Sequence, residues 1–120
     1  KNLIVDCTND FEESYDAIKQ AIVLHRPQAL FASVERLAMA AYRACNDLKI
    51  TIPDDIKIIS YSNLSIADLL QPSLSTITQP AEALGREAAK LIFGVLNGQP
   101  QSSKEQILRS EIIHRCSSIF

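Results

Sequence analysis

The segment PQALFASVERLAMAAYRACNDLKI, residues 27–50, decides the fold class of this 120-residue chain. It contains a continuous apolar run, Ala29–Ala32, that has the length of a strand. Strands buried on both faces have this composition, and they favour a parallel sheet covered by helices. Residues 35–48 then carry apolar side chains at helical spacing, which predicts a helix with one buried stripe. The members of that stripe are Leu37, Ala41, Ala44 and Leu48.

Upstream of this segment, the sequence predicts a helix that begins near Asp10 or Phe11. Asp10 can cap the helix, and the two glutamates that follow are favourable in its first turn because they oppose the helix dipole. Pro27 ends the helix. A short run rich in β-branched residues precedes it at residues 3–5. The expected core face of the helix holds Tyr15, Ile18 and either Ala21 or Ile22.

Downstream, strands and helices continue to alternate. The predicted elements are a strand at residues 56–61, a short helix at residues 66–70, an extended stretch at residues 74–78, a long helix at residues 81–96 and a strand at residues 107–114. The long helix has an expected core face of Leu84, Ala88, Leu91 and Val95. Asn97-Gly98 is a helix-ending signal. This alternation indicates βαβ units, so the predicted fold class is α/β with a parallel sheet flanked by helices.

The composition excludes several classes of protein. Hydrophobic residues make up 47% and charged residues 22% of the chain, which is ordinary for an α/β domain. The net charge is −2 and the basic residues are scattered, so the chain lacks the basic patch of a nucleic-acid binder. No apolar run approaches the roughly 18 residues that a membrane span needs. Because the chain opens with Lys1 and its only methionine is Met39, we expect it to be a fragment of a longer protein.

The three cysteines give no sign of a metal site or a disulfide framework. Cys7, Cys45 and Cys116 lie far apart in the chain, and an odd, sparse set suits a reducing cytoplasm. We therefore expect a cytoplasmic protein with no metal and no cofactor.

Four short polar segments are candidates for a ligand site. In open parallel sheets, ligands bind beyond the carboxyl ends of the strands. This rule selects residues 7–9, 33–35, 62–63 and 78–79. Their hydroxyl, amide and carboxylate groups can orient a polar small molecule by hydrogen bonding. The alternative is that each segment caps the helix or turn that follows it.

The sequence does not predict an enzyme. Its glycines, Gly85, Gly94 and Gly98, form no phosphate-binding loop. The two histidines are expected to have surface or structural roles. A triad of Ser62, His114 and Asp6 can be drawn, but nothing around these residues resembles a nucleophile elbow. We therefore expect no catalytic residues.

Five segments together resemble the LacI/GalR family of bacterial transcription regulators. In chain order they are PQALFA at residues 27–32, IPDDIKIISYSN at 52–63, PSLSTITQP at 72–80, ALGREAAKLI at 83–92 and IIHRCSS at 112–118. Each motif by itself is weak evidence for the family, whereas five motifs in the family's order are specific for it.

The resemblance implies a two-lobed, periplasmic-binding-protein-like type I fold with a small effector, often a sugar, in the cleft between the lobes. By that template, residues 1–76 and 107–120 belong to the C-terminal lobe. Residues 77–106 include a helix that crosses to the N-terminal lobe. The DNA-binding domain and the first βα unit of the C-terminal lobe lie outside this chain, so DNA is a partner only through the missing domain.

The effector-binding residues implied by the strand-tip rule and the resemblance are Thr8, Val34, Glu35, Ser62, Asn63 and Gln79. Val34 and Glu35 stand where the family usually has an Asn-Asp pair, and Ser62 stands where it usually has an aspartate. Replacing a buried carboxylate acceptor with a hydroxyl removes about 1.5–3 kcal/mol of interaction. A neutral monosaccharide held by paired Asp and Asn is therefore not expected; the alternatives are a different sugar derivative and a weakened or repurposed cleft.

The resemblance also implies a homodimer. The family pairs the outer faces of the second helix and of the short helix with those of a second copy. The residues at those positions are Met39, Arg43, Ile66, Leu69 and Leu70. Local core packing is the alternative for Leu69 or Leu70. For the whole protein, the alternative function is a periplasmic-type solute-binding protein of the same fold, which would carry a signal sequence upstream.

Overall fold

The first helix begins at a side-chain cap. The computed structural model describes residues 3–98 and 105–119, and in it α1 spans Phe11–His25. The Asp10 carboxylate accepts a hydrogen bond of 2.9 Å from the Glu13 N–H, which satisfies a donor that has no partner within the helix. At the other end Arg26 adopts the left-handed conformation (φ 44°) and donates its N–H to the Ile22 carbonyl. The predicted start and cap of this helix are confirmed.

The remaining elements are β1 (Ala29–Ala32), α2 (Glu35–Leu48), β2 (Lys57–Tyr61), β3 (Ser75–Ile77), α3 (Ala81–Leu96) and β4 (Ile112–Ile113). The sheet has the order β1-β2-β3-β4. The chain divides into two units, of which the first holds the described residues up to Thr78 and from Ile112 onward. The second unit holds the described residues between Gln79 and Glu111.

The sheet is mixed: its parallel part was predicted, and its antiparallel strand was not. β1 pairs with β2 and β2 with β3 in parallel, but β4 runs antiparallel to β3 with Ile77 opposite Ile112. The predicted strand at residues 107–114 was too long, because only Ile112–Ile113 pair with a neighbour. The α/β class itself is confirmed.

The first unit buries its core on one face of the sheet. The small side chains of α2, among them Ala38, Ala41 and Ala44, are fully buried and let the helix approach β1 and β2 closely. Ala32 and Ile58 point to this face. The prediction that residues 29–32 form a strand buried on both faces is wrong, since Phe31 on the opposite face is 59% exposed.

The short helix predicted at residues 66–70 is a series of turns. The Ala67 and Leu69 N–H groups donate to carbonyls three residues earlier, at Leu64 and Ile66. Pro72 follows too closely for this segment to extend into a regular helix. Ala67 is nevertheless buried and anchors the turns to the core.

In the second unit, the predicted bounds of α3 are confirmed, but its predicted core face is not buried. No side chain of α3 is buried, although Leu84, Leu91 and Val95 share one stripe. A single helix with irregular flanking residues has no second layer against which to bury such a stripe. Gly98 (φ 68°) follows the helix and donates its N–H to the Val95 carbonyl, as the Asn97-Gly98 signal predicted.

The C-terminal segment joins β2 to β3 through Ser117. The Ile58 N–H donates to the Ser117 carbonyl (2.9 Å), and the Ser117 hydroxyl donates to the Ile58 carbonyl (2.6 Å). The same hydroxyl accepts from the Ser75 N–H (2.8 Å). Ser117 is fully buried, so water cannot replace these bonds if they are lost.

Replacing Ser117 with alanine is expected to lower the free energy of unfolding by about 2–3 kcal/mol, because it leaves a buried donor at Ser75 and a buried acceptor at Ile58 without partners. Urea unfolding followed by circular dichroism measures this. The control is Cys116→Ala at the exposed neighbouring position, which should stay within about 0.5 kcal/mol of the parent chain. Equal effects of the two substitutions would contradict the role given to Ser117.

Candidate functional site

The carboxyl ends of β1 and β2 lie side by side at one edge of the sheet. These strands are parallel, and Ala32 is opposite Ser60 in their register. The segments that follow them, residues 33–35 and 62–63, therefore leave the sheet at the same edge. This is the edge at which open α/β sheets bind ligands.

The loop between β1 and α2 does not cap α2 with a side chain. Val34 is the N-cap residue of α2, with extended backbone (φ −147°, ψ 158°) and no side-chain hydrogen bond to the helix. Its side chain is 40% exposed. Glu35 begins the helix and is also exposed, so its carboxylate lies at the positive end of the α2 dipole. The capping alternative therefore does not explain this loop.

Arg36 ties the loop that contains Thr8 to the start of α2. Its guanidinium donates to the Thr8 carbonyl (2.8 Å) and to the Asp10 carbonyl (3.3 Å). The Thr8 hydroxyl donates to Glu13 (2.8 Å) and accepts from the Asp10 N–H (3.2 Å). Thr8 is exposed, and Arg36 links its loop to the first turn of α2; the effector role of Thr8 stays a prediction.

Arg36, which the sequence analysis did not single out, holds a loop of the candidate site. A cation in the first turn of a helix opposes the helix dipole, so it is unfavourable there unless it has another partner. The position of an arginine in the first turn of α2 was therefore the one sign in the sequence that Arg36 has a partner elsewhere. The partners are carbonyls 26 and 28 positions earlier in the chain, and such pairing is visible only in the folded structure.

Ser62 shapes its own loop. It is fully buried, its hydroxyl accepts from the Leu64 N–H (2.9 Å), and its own N–H donates to the Ile77 carbonyl (3.0 Å). These bonds fit the capping alternative, and contact between Ser62 and an effector stays a prediction. Asn63, the next residue, is exposed at the same strand end.

Gln79 is the first residue of the second unit, where its carbonyl accepts from the Ala81 N–H (2.8 Å). The other five predicted site residues lie in the first unit. The effector role of Gln79 stays a prediction.

The predicted dimer residues differ in exposure. Leu69 is 71% exposed and Ile66 is also exposed, whereas Met39 and Leu70 are partly buried against the core. Local core packing is therefore the better description of Leu70. Arg43 is exposed, and it forms an ion pair with Glu12 at 2.6 Å.

Arg43 also lies over an aromatic ring within a polar cluster on α1 and α2. Its guanidinium is 4.2 Å from the centre of the Tyr15 ring, a cation–π distance. The Tyr15 hydroxyl donates to Asp47 (2.6 Å), and this bond lowers the pKa of that carboxyl. Lys19 donates to the same hydroxyl (2.8 Å), which raises the pKa of the amine. The cluster holds Arg43 of α2 against side chains of α1.

Among the described residues, no helix is both long and apolar enough to cross a bilayer. Within residues 3–98 and 105–119, no three His, Cys, Asp or Glu side chains come together in a way that could hold a metal ion.

The chain is similar to bacterial repressors. It matches the periplasmic binding protein-like domain family over residues 3–118. It is 34% identical over 108 residues to the lactose operon repressor of Rhizobium radiobacter, covering 89% of this chain and 95% of that protein. It is 30% identical over 118 residues to the HTH-type transcriptional repressor PurR of Klebsiella pneumoniae, covering 98% of this chain and 35% of that protein. The chain thus spans about a third of the length of PurR.

A solved structure has the same fold. A LacI family transcriptional regulator from Enterococcus faecium with bound ribose superposes with a TM-score of 0.79 at 26% identity. The superposition covers 97% of this chain and 43% of that one.

Replacing Arg36 with glutamine is expected to release the Thr8 loop, because a neutral amide cannot reproduce two charge-assisted bonds to carbonyls. Hydrogen–deuterium exchange at the Asp10 amide should accelerate about tenfold, and the free energy of unfolding should fall by about 1 kcal/mol. Arg86→Gln removes an exposed arginine on α3 and serves as the control. Unchanged exchange at Asp10 would show that Arg36 does not hold the loop.

Proposed function

Because this chain belongs to the periplasmic binding protein-like domain family, and within it to the effector-binding domains of LacI/GalR-type transcription regulators, we propose that it binds a small sugar or sugar derivative and transmits its presence to a DNA-binding domain. The observation that carries this proposal is the shared edge at the ends of β1 and β2. Two polar loops leave the sheet there, and Arg36 adds a third, the loop of Thr8.

The effector is held by hydrogen bonds from side chains at this edge. The Glu35 carboxylate accepts from sugar hydroxyls, the Asn63 amide both donates and accepts, and the Thr8 hydroxyl, which donates to Glu13, accepts. Val34 supplies an apolar surface for a sugar face. Ser62 fixes the loop that presents Asn63, because its hydroxyl accepts from the Leu64 N–H. Binding of ribose by the Enterococcus faecium regulator and the name of the lactose operon repressor support a sugar as the effector class.

The regulator acts as a cytoplasmic homodimer, and it contacts DNA only through the N-terminal domain of the longer protein. The exposed side chains of Arg43, Ile66 and Leu69 form the dimer contact, and the partly buried Met39 adds to it. A twofold interface needs such a self-complementary patch. The net charge of −2 accords with a segment that does not itself bind DNA.

The chain has no catalytic role in this proposal, since its relatives are repressors. A solute-binding protein of the same fold is the alternative. The relatives are named as repressors, which favours a transcription regulator over a solute-binding protein.

Titration with ribose or lactose, followed by amide NMR shifts, tests the effector site. Shifts are expected at Thr8, Val34, Glu35 and Asn63. Glu35→Gln should weaken binding of the responding sugar about tenfold, because it removes a charge-assisted acceptor. The matched control is Glu82→Gln, which changes the exposed first-turn glutamate of α3. Shifts confined to other surfaces, or equal effects of the two variants, would refute the site.

Sedimentation equilibrium tests the dimer. Leu69→Glu places a charge at the centre of the proposed contact, and the dimer dissociation constant should rise about tenfold or more. Leu24→Glu is the matched control, because Leu24 is a leucine of similar exposure on α1 (76% against 71%) that lies outside the contact. A chain that is monomeric before substitution, or that responds equally to both changes, contradicts the proposed interface.

A further inference from the structure

A cleft of the first unit lies at the other end of β1 and β2 from the proposed effector site. Its volume of about 480 Å³ is in the range of pockets that hold small molecules. Pro27, which precedes β1, and Ile56, which precedes β2, both line it. Because the two strands are parallel, their amino ends lie side by side. The length of the strands therefore separates this cleft from the loops at their carboxyl ends.

The interior of the cleft is apolar. Ile22 of α1 and Ile56 line it and are buried in the core of the first unit. Leu48, the last residue of α2, and Ile50 also line it and are half-buried. An apolar group that enters the cleft leaves water together with this surface, which is the main source of affinity in most small-molecule sites.

Two side chains of opposite charge line the same cleft without pairing with each other. Arg26 and Asp55 are both exposed there, and within the described residues the Arg26 guanidinium forms no hydrogen bond or ion pair. Asp55 uses one carboxylate oxygen to accept from the Thr51 N–H (2.8 Å), which leaves the other oxygen as an acceptor. The cleft thus offers a cation and an anion to one ligand.

The Val23 carbonyl adds a further acceptor at the end of α1. Within an α-helix each carbonyl accepts from the N–H four residues later, and four residues after Val23 is Pro27, which has no N–H. Within residues 3–98 and 105–119, no other donor reaches this carbonyl. The negative end of the α1 dipole lies here as well, which favours a positively charged group.

We propose that this cleft binds a free α-amino acid with a bulky apolar side chain, as a ligand distinct from the effector. The Arg26 guanidinium donates two parallel hydrogen bonds to the carboxylate of the ligand. The ammonium group of the ligand donates to Asp55 and to the Val23 carbonyl. Its side chain packs against Ile22 and Ile56. Binding requires neither the effector nor the DNA-binding domain.

The charges of the cleft favour an amino acid over simpler apolar ligands. A carboxylic acid without an amine would pair with Arg26 but would leave Asp55 with no partner when the ligand excludes water. An amine without a carboxylate would leave Arg26 in the same state. A neutral ligand would desolvate both charges and pair neither, which is costly.

Three related compounds test the two charges separately. L-phenylalanine has both charges, 3-phenylpropanoate lacks the ammonium group and 2-phenylethylamine lacks the carboxylate. In calorimetric titrations of the 120-residue chain, L-phenylalanine should bind about tenfold or more tightly than either analogue, because each analogue leaves one charge unpaired. Equal affinities for the three compounds would overturn the proposal. Failure of both L-phenylalanine and L-leucine to bind would overturn it as well.

Amide NMR shifts locate the bound amino acid. L-phenylalanine should shift the amides of Val23, Ile50 and Asp55. Shifts confined to Glu35 and Asn63 would assign the amino acid to the effector edge instead and would overturn the proposal.

Substitution of Arg26 tests its contact with the carboxylate. Arg26→Gln should weaken binding of L-phenylalanine about tenfold and leave binding of 2-phenylethylamine unchanged, because that amine has no carboxylate to lose. The matched control is Lys49→Gln. Lys49 ends α2 as Arg26 ends α1, both are exposed with left-handed backbone (φ 58° and 44°), and Lys49 does not line the cleft. Equal losses in the two variants would show a general effect of charge and would overturn the proposal.

Asp55→Asn tests the contact with the ammonium group. Asparagine keeps an oxygen that can accept from the Thr51 N–H, so the turn is preserved while the charge is lost. Binding of L-phenylalanine should weaken about tenfold, whereas binding of 3-phenylpropanoate should not weaken. The control is Asp54→Asn, at the neighbouring exposed aspartate that does not line the cleft. If Asp55→Asn binds L-phenylalanine as Asp54→Asn does, Asp55 is not the partner of the ammonium group and the proposal is wrong.

Discussion

The hydrogen bonds of Ser117 hold the two central strands together. Its main chain and hydroxyl bond both polar main-chain groups of Ile58, 59 positions earlier in sequence, at a point on β2 where β3 has not yet begun. The hydroxyl also receives the Ser75 N–H, so one buried side chain joins β2 to β3. Because parallel strands cannot be joined by a tight turn, their register depends on such long-range bonds.

That register places the edge of the sheet at which we propose that the effector binds. With β1 and β2 in parallel register, the loops beginning at Ser33 and Ser62 emerge next to each other. Arg36 then adds the loop of Thr8 by bonding its carbonyl, at the cost of an unfavourable position against the helix dipole. The site therefore has a rigid part, the strand ends, and a part that depends on one guanidinium. Ser62 belongs to the rigid part, because its hydroxyl is committed to the Leu64 N–H.

Within the described residues, β1 is the terminal strand of the same sheet. β1 has the apolar composition of an interior strand, yet Phe31 is exposed and Ala29 borders an open cleft. An interior composition at a sheet edge is a liability in a folded protein, since such edges pair with other chains. The contrast between the composition of β1 and its position distinguishes this edge from that of β4, which is only two residues long.

Local signals in the sequence determined the helices. The Asp10 cap, the apolar residues of α2 at helical spacing and the Asn97-Gly98 ending predicted α1, α2 and α3 closely, because capping and periodicity act between residues a few positions apart. The edges of the sheet were decided only by tertiary structure. The antiparallel direction of β4, the exposure of Phe31 and the clamp of Arg36 on Thr8 all depend on contacts between residues 26 or more positions apart. No local pattern predicts such contacts, because they stabilise the chain only after folding has brought distant segments together.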